Sequence, residues 1–176
     1  MILVARFAVQ EKASFLRDAV FAANDGVITT FAVVAGAYGA SFSSLVVIIL
    51  GLANLFADGL SMASGNYLGV KSETDLSKLE DPKGFLKHSP FPHALVTFFS
   101  FMIAGFLPLL PYLLGIKEPF FISAFLVGIT LFLVGALRCL FTKKKWYLGG
   151  IEMFLIGGAA AWVAYITGYL LNKYLI

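Results

Sequence analysis

The chain has 176 residues, 60% of them hydrophobic and only 13% charged, with a net charge of +3. So few charges, about half the roughly 25% usual for soluble domains, cannot cover a water-facing surface, and a soluble domain is excluded. The single cysteine, Cys139, excludes an internal disulfide framework and zinc sites built on paired cysteines. The composition is that of an all-α integral membrane protein, and the length allows one transmembrane domain over residues 1–176.

A helix needs about 20 mostly apolar residues to cross about 30 Å of hydrocarbon. Five segments meet that length: about 15–40, 42–70, 91–114, 119–141 and 148–171. The first carries Asp18 and Asp25 and is too long for the core of a cleavable signal. None shows the period-2 alternation of a lipid-facing barrel strand. The first two spans are joined by Gly39, Ala40 and Ser41, which predicts a tight antiparallel hairpin. The second and third are joined by the one sizeable polar stretch, read as a short cytosolic loop over 71–92 with Glu73, Asp75, Glu80, Asp81, His88 and His93 in or beside it. Pro108 and Pro111 predict a kink at the end of the third span.

Eleven of the thirteen Lys and Arg residues lie before span one, between spans two and three, between spans four and five, or, as Arg17 and Arg138 do, at the adjoining span ends. Only Lys117 and Lys173 fall on the other side. This bias places the N-terminus in the cytosol and the C-terminus on the opposite side. The basic balance is thus a topology signal, with anionic headgroups as its natural contacts, and nucleic acid is not a partner.

Asp25, Asp58 and Glu152 lie within apolar spans. A carboxylate at the bilayer centre costs roughly 2.5–3.5 kcal/mol on the mild insertion scale, so such groups usually face a cavity and carry function. At 100° per residue, Asp18, Asp25 and Thr29 fall within about 40° of one another on span one. Asn54, Asp58, Ser61, Met62, Gly65, Asn66 and Gly69 form a stripe about 140° wide on span two. Counted from Arg17 and from Val70, Asp25 and Met62 both lie about 12 Å deep, with Asp58 a turn deeper and Asn66 a turn shallower. A thioether level with a carboxylate, flanked by oxygen ligands, suits a borderline divalent transition metal better than Mg²⁺ or Ca²⁺.

Other readings stand beside these. Met62 taken alone is a packing residue. Asn54 and Asn66 serve equally as interhelical hydrogen-bond groups, and Asp18 beside Arg17 equally as a helix-start charge. Glu152, one turn inside span five, is in reach of Lys144 or Lys145. His88 and His93, in a polar stretch, are read as solvated rather than as ligands. The small residues of span one (Gly26, Gly36, Gly39) and of span five (157–161) allow close helix approach, within a subunit or between subunits.

The segments FAANDGVITTFAVVAGAYGA in span one and GLANLFADGLSMASGNYLGVKSE in span two resemble the vacuolar iron transporter (VIT) family. GFLPLLPYLL in span three and GGIEMFLIGGAAAWVAYITGYLL in span five resemble it too, so the likeness runs over nearly the whole chain. It implies five transmembrane helices, a homodimer, and export of Fe²⁺ or Mn²⁺ from the cytosol in exchange for protons. Co²⁺ and Zn²⁺ are further candidate cargo, and no cofactor is held permanently. It also implies that Asp25 (of NDG) and Met62 (of SMA) line the metal pathway at the dimer interface. Asp58 and Asn66 complete the candidate metal set. Asp18, Asn24, Asn54, Glu73, Glu80 and Glu152 are candidates for the pathway or its entrance. Two departures stand out: many members have glutamate where this chain has Asn66, and plant and fungal members carry a long glutamate-rich cytosolic domain of which Glu73 and Glu80 would be the remnants. The short connection suggests a prokaryotic member in the plasma membrane; a eukaryotic one would sit in the vacuolar membrane.

Two other classes compete. An intramembrane aspartyl enzyme needs two aspartates sharing a site, and Asp25 and Asp58 are estimated a helical turn apart in depth. A structural or assembly role needs no site at all.

Overall fold

A computed structural model describes residues 2–80, 89–141 and 144–175. The readings made on Asp81, Lys83, Lys87, His88 and Lys143 lie outside the described residues. The elements are α1 (Ile2–Gly39), α2 (Ser44–Glu80), α3 (Pro90–Phe106), a 3₁₀ turn (Leu107–Leu109), α4 (Leu110–Leu113), α5 (Pro119–Phe141) and α6 (Trp146–Leu175). No strand occurs among the described residues. Five helical stretches are long and apolar enough to cross a membrane, with α3, the 3₁₀ turn and α4 together forming the third. Lipid offers backbone amides no partner, so helices that satisfy their own are the form such a sequence must take.

The α1–α2 turn closes with Phe42 N–H donating to the Ala37 carbonyl at 2.9 Å, and Ser41 takes the left-handed φ of 59° that this cap requires. The cap after α4 has the same form, with Gly115 at φ 62° and Ile116 N–H donating to the Pro111 carbonyl at 3.1 Å. Pro108 cannot donate to the preceding turn, and the helix tightens there into 3₁₀ geometry. Ser123 of α5, fully buried, donates to the Pro108 carbonyl at 2.7 Å and ties α5 to the kink.

α2 does not stop at residue 70. It runs ten residues further, because 71–80 holds Lys, Glu and Leu and no Gly or Pro. Thr74 Oγ1 donates back to the Val70 carbonyl at 2.9 Å, and Lys78 lies in the last turn where a cation favours the helix dipole. Glu73 and Glu80 are therefore exposed groups on a helix rather than members of a loop. α3 likewise begins at Pro90, a proline at the first helical position, so His93 belongs to a helix and not to the polar connection.

α1 is the central helix. It packs most extensively on α3 and α6 and also meets α5, while α2 packs chiefly on α3 and touches α1 less. The expected hairpin of spans one and two is thus splayed, with α3 bridging both. Backbone contact explains it. A Cβ added at Gly26 of α1 would lie 2.5 Å from the Phe101 carbonyl oxygen of α3, and one at Gly168 of α6 would strike the Gly36 carbonyl of α1. The small residues of span one are consumed inside the protomer, against α3 and α6. Val27, Val34, Leu55, Phe101 and Leu109 fill the core around these crossings, and Tyr38 stacks on Phe120 at 3.9 Å.

Gly26→Ala is expected to destabilise the folded protein by about 1–3 kcal/mol, since backbone cannot yield as a side chain can. Gly158→Ala, where an added Cβ meets nothing within 4 Å, should be neutral or mildly stabilising. Thermal unfolding of the two variants in detergent checks the contrast.

Candidate functional site: a polar cavity between three helices

The polar stripe of α2 faces α1 and α3 across a cavity of about 500 Å³. α2 contributes Asp58, Ser61, Met62, Gly65 and Asn66, α1 contributes Arg17, Asp18 and Phe21, and α3 contributes Thr97. Five of the seven residues in the stripe read from helical periodicity line this space, all but Asn54 and Gly69, and three of the four candidate metal residues (Asp58, Met62 and Asn66) are among them. They lie together because positions 58, 62 and 66 recur every four residues along one helical face. All three are half-buried.

Asp25, the fourth, is not among the lining residues. It is half-buried on α1. Thr29, on the same face, spends its hydroxyl on its own helix and donates to the Asp25 carbonyl at 2.8 Å. Asn24 and Asn54 each keep a buried polar atom without a partner, Oδ1 of Asn24 and Nδ2 of Asn54. An unmet amide buried in a membrane protein is costly, which makes both sites candidates for a polar visitor.

α3 supplies what sequence reasoning missed. Asn66 Nδ2 donates to Thr97 Oγ1, fixing the shallow end of the cavity. One turn earlier on α3, His93 is buried, stacks on Phe15 at 4.0 Å and meets Asp18 Oδ2 through Nδ1 at 2.6 Å. The expectation that His93 is solvated is thus corrected: helix α3 carries it into the protein. The available signal was Pro90 as a helix start, with His93, Thr97 and Phe101 following at four-residue spacing on a buried face.

Asp18 also accepts from Arg17 Nε and Nη2 at 3.2 and 3.1 Å, and it is not a helix-start charge, because α1 begins at Ile2 rather than near residue 15. Glu152 accepts from Arg138 Nη2 at 2.7 Å rather than from Lys144 or Lys145, because α5 and α6 lie side by side with Gly135 against Gly149 and bring those two residues level. That pair is solvent-accessible and borders a second cavity, between α1 and α6. Among the described residues, no three His, Cys, Asp or Glu side chains converge on a point where a metal could sit.

Five helices long and apolar enough to cross a membrane, three of them lining a cavity with polar groups, define a multi-pass membrane protein. The chain belongs to the VIT family, whose sequence profile matches residues 16–85 and 78–169. It is 26% identical to the vacuolar iron transporter of Toxoplasma gondii, over 90% of this chain and 74% of that protein. Identity to the vacuolar iron transporter of Centaurea cyanus is also 26%, over 85% of each. The vacuolar iron transporter homolog 1 of Arabidopsis thaliana is 29% identical, over 95% of this chain and 86% of the relative. Members of the family are transporters and not enzymes, so the intramembrane aspartyl reading is set aside.

Glu152→Gln is expected to cost under about 1 kcal/mol of stability, since a solvent-accessible ion pair contributes little. Chemical or thermal unfolding of the purified protein measures it.

Proposed function

We propose that the chain exports a divalent transition metal, Fe²⁺ or Mn²⁺, from the cytosol in exchange for protons, as a homodimer with its N-termini in the cytosol. The observation that carries the reading is the placing of a carboxylate, a thioether and an amide (Asp58, Met62, Asn66) on the wall of one cavity. Soft and hard ligands together suit a borderline cation. The relatives named as vacuolar iron transporters support the metal class. Protons and a metal ion compete for the same carboxylate oxygens, so an inward proton gradient can drive the cation out.

In the dimer, a two-fold axis beside α1 would double Asp25, Asp58 and Met62. The glycine face of α1 is occupied by α3 and α6, so α1 would meet a partner through its exposed Ala13 and Phe21, with Phe21 60% exposed. Phe21→Cys in a Cys139→Ser background should trap dimers on mild oxidation, whereas Leu155→Cys on the exposed face of α6 should not. Cross-linking confined to position 155 would place the axis elsewhere.

Transport is tested by metal flux in proteoliposomes, normalised to folded protein. Asp25→Asn keeps shape and removes charge, so flux should fall to near background. Asp58→Asn should give an intermediate loss. Met62→Leu nearly conserves volume and should shift the preference among Fe²⁺, Mn²⁺ and Co²⁺. Uptake should depend on an acid interior and should alkalinise it. Normal flux through Asp25→Asn would defeat the proposed pathway, and indifference to the pH gradient would make the protein a uniporter. A chain that carries no metal under any gradient would be left with the structural or assembly role.

A further inference from the structure

Asp18, a candidate for the pathway entrance, lines the cavity with Arg17 and is bonded to His93 behind it, and neither partner has a part in the pathway described so far. Asp18 has a side chain only 5% exposed, and both of its oxygens are engaged, Oδ2 by His93 and Oδ1 by Arg17. The two partners differ in how firmly they are held. His93 is 2% exposed, stacked on Phe15, and carried by the same face of α3 whose next turn, Thr97, holds Asn66. Arg17 is 62% exposed, lines the cavity itself, and has Ser14 Oγ as a further, long contact at 3.4 Å.

An ion pair with one arm in solvent changes an equilibrium by at most about fivefold, so the guanidinium can leave readily. Withdrawing His93 would instead strand a buried carboxylate without its donor, which is far more costly. Asp18 therefore presents one fixed oxygen and one oxygen whose cation seat is filled by a tethered, removable positive charge. The cavity beyond it holds Asp58, Met62 and Asn66. A divalent cation brings twice the charge of a guanidinium to the same oxygen.

We propose that Arg17 is a tethered gate on the cavity, displaced from Asp18 by an incoming divalent cation, and that His93 is the positioning residue that keeps Asp18 aimed at the cavity when Arg17 swings away. The inference rests on the reading of this cavity as a cation route and names the residues that control entry to it. It also gives Arg17 a role that ordinary ion pairing does not: its removal should improve cation binding rather than impair it.

Mn²⁺ is the probe, in two measurements on the full chain. Binding is read from loss of the free-ion paramagnetic resonance signal with purified protein, and transport from Mn²⁺ uptake by liposomes over a concentration series. Arg17→Gln should lower the half-saturating Mn²⁺ concentration by about three- to fivefold. His93→Leu should raise it by about fivefold or more, the factor expected when a carboxylate loses a hydrogen bond of ordinary strength. His93→Asn, whose amide nitrogen can donate from about the place of Nδ1, should return it to near the wild-type value. A purely structural role for His93 would lower the folded yield yet leave half-saturation of the surviving protein unchanged, and that result would overturn the positioning role. An unchanged or raised half-saturation in Arg17→Gln would overturn the gate. Wild-type protein that binds Mn²⁺ but carries none across the liposome would refute the transport reading while the binding data still decide the gate. Wild-type protein that binds no Mn²⁺ would overturn both.

Discussion

The close approach of α1 to α3 at Gly26 governs the geometry of everything on the polar side of this protein. With no Cβ at that position, the α1 backbone rests against the Phe101 carbonyl, and Gly105 of α3 returns the contact against the Gly26 carbonyl and the Thr30 side chain. Within lipid there is little hydrophobic force to press helices together, so such van der Waals contact between small residues is what brings them together. From this crossing, α3 leads back along α1 to the level where His93 meets Asp18. It also lies against α2, so one helix defines both the position of Asp18 and the position of Asn66.

Polar groups in this fold are held in graded ways that follow their surroundings. The more buried ones are fixed by short hydrogen bonds between neighbouring helices: His93 to Asp18, Asn66 to Thr97, Ser123 to the Pro108 carbonyl. Those nearer the aqueous ends, Arg138 with Glu152 and Arg17 with Asp18, keep one or both partners in solvent and are correspondingly loose. Asp58, Met62 and Asn66 occupy a middle condition, half-buried around open volume. A cavity lined by groups that are neither solvated nor fully satisfied is suited to a guest that supplies the missing charge.

The division of labour among the helices is equally physical. α5 and α6 pack on each other through Gly135 and Gly149, and α6 turns Leu155, Trp162 and Val163 outward, as a lipid-facing helix must. α6 also begins with Trp146 and Tyr147 and ends near Tyr174, aromatic anchors of the kind that settle at the two membrane interfaces. α1, α2 and α3 line the polar cavity, and α2 extends beyond the apolar span as an exposed helix carrying Glu73 and Glu80.

The sequence by itself determined the class, the five apolar helices and the polar stripe of α2, because span length and the 100° step between residues depend only on local covalent geometry and the lipid environment. It located Asp58, Met62 and Asn66 on one face, and Pro108 as the point where the third span tightens, for the same reason. Other features were settled only when helices met. The partner of Asp18 is 75 positions away, and no periodicity within α1 can name it. Glu152 faces Arg138 instead of the nearer lysines because two glycines let α5 and α6 touch. The small residues of α1 serve contacts inside the protomer because α3 and α6, not a second copy, reach them first. Residues joined through space across separate helices are chosen by packing, and packing is where the one-dimensional pattern ceases to be informative.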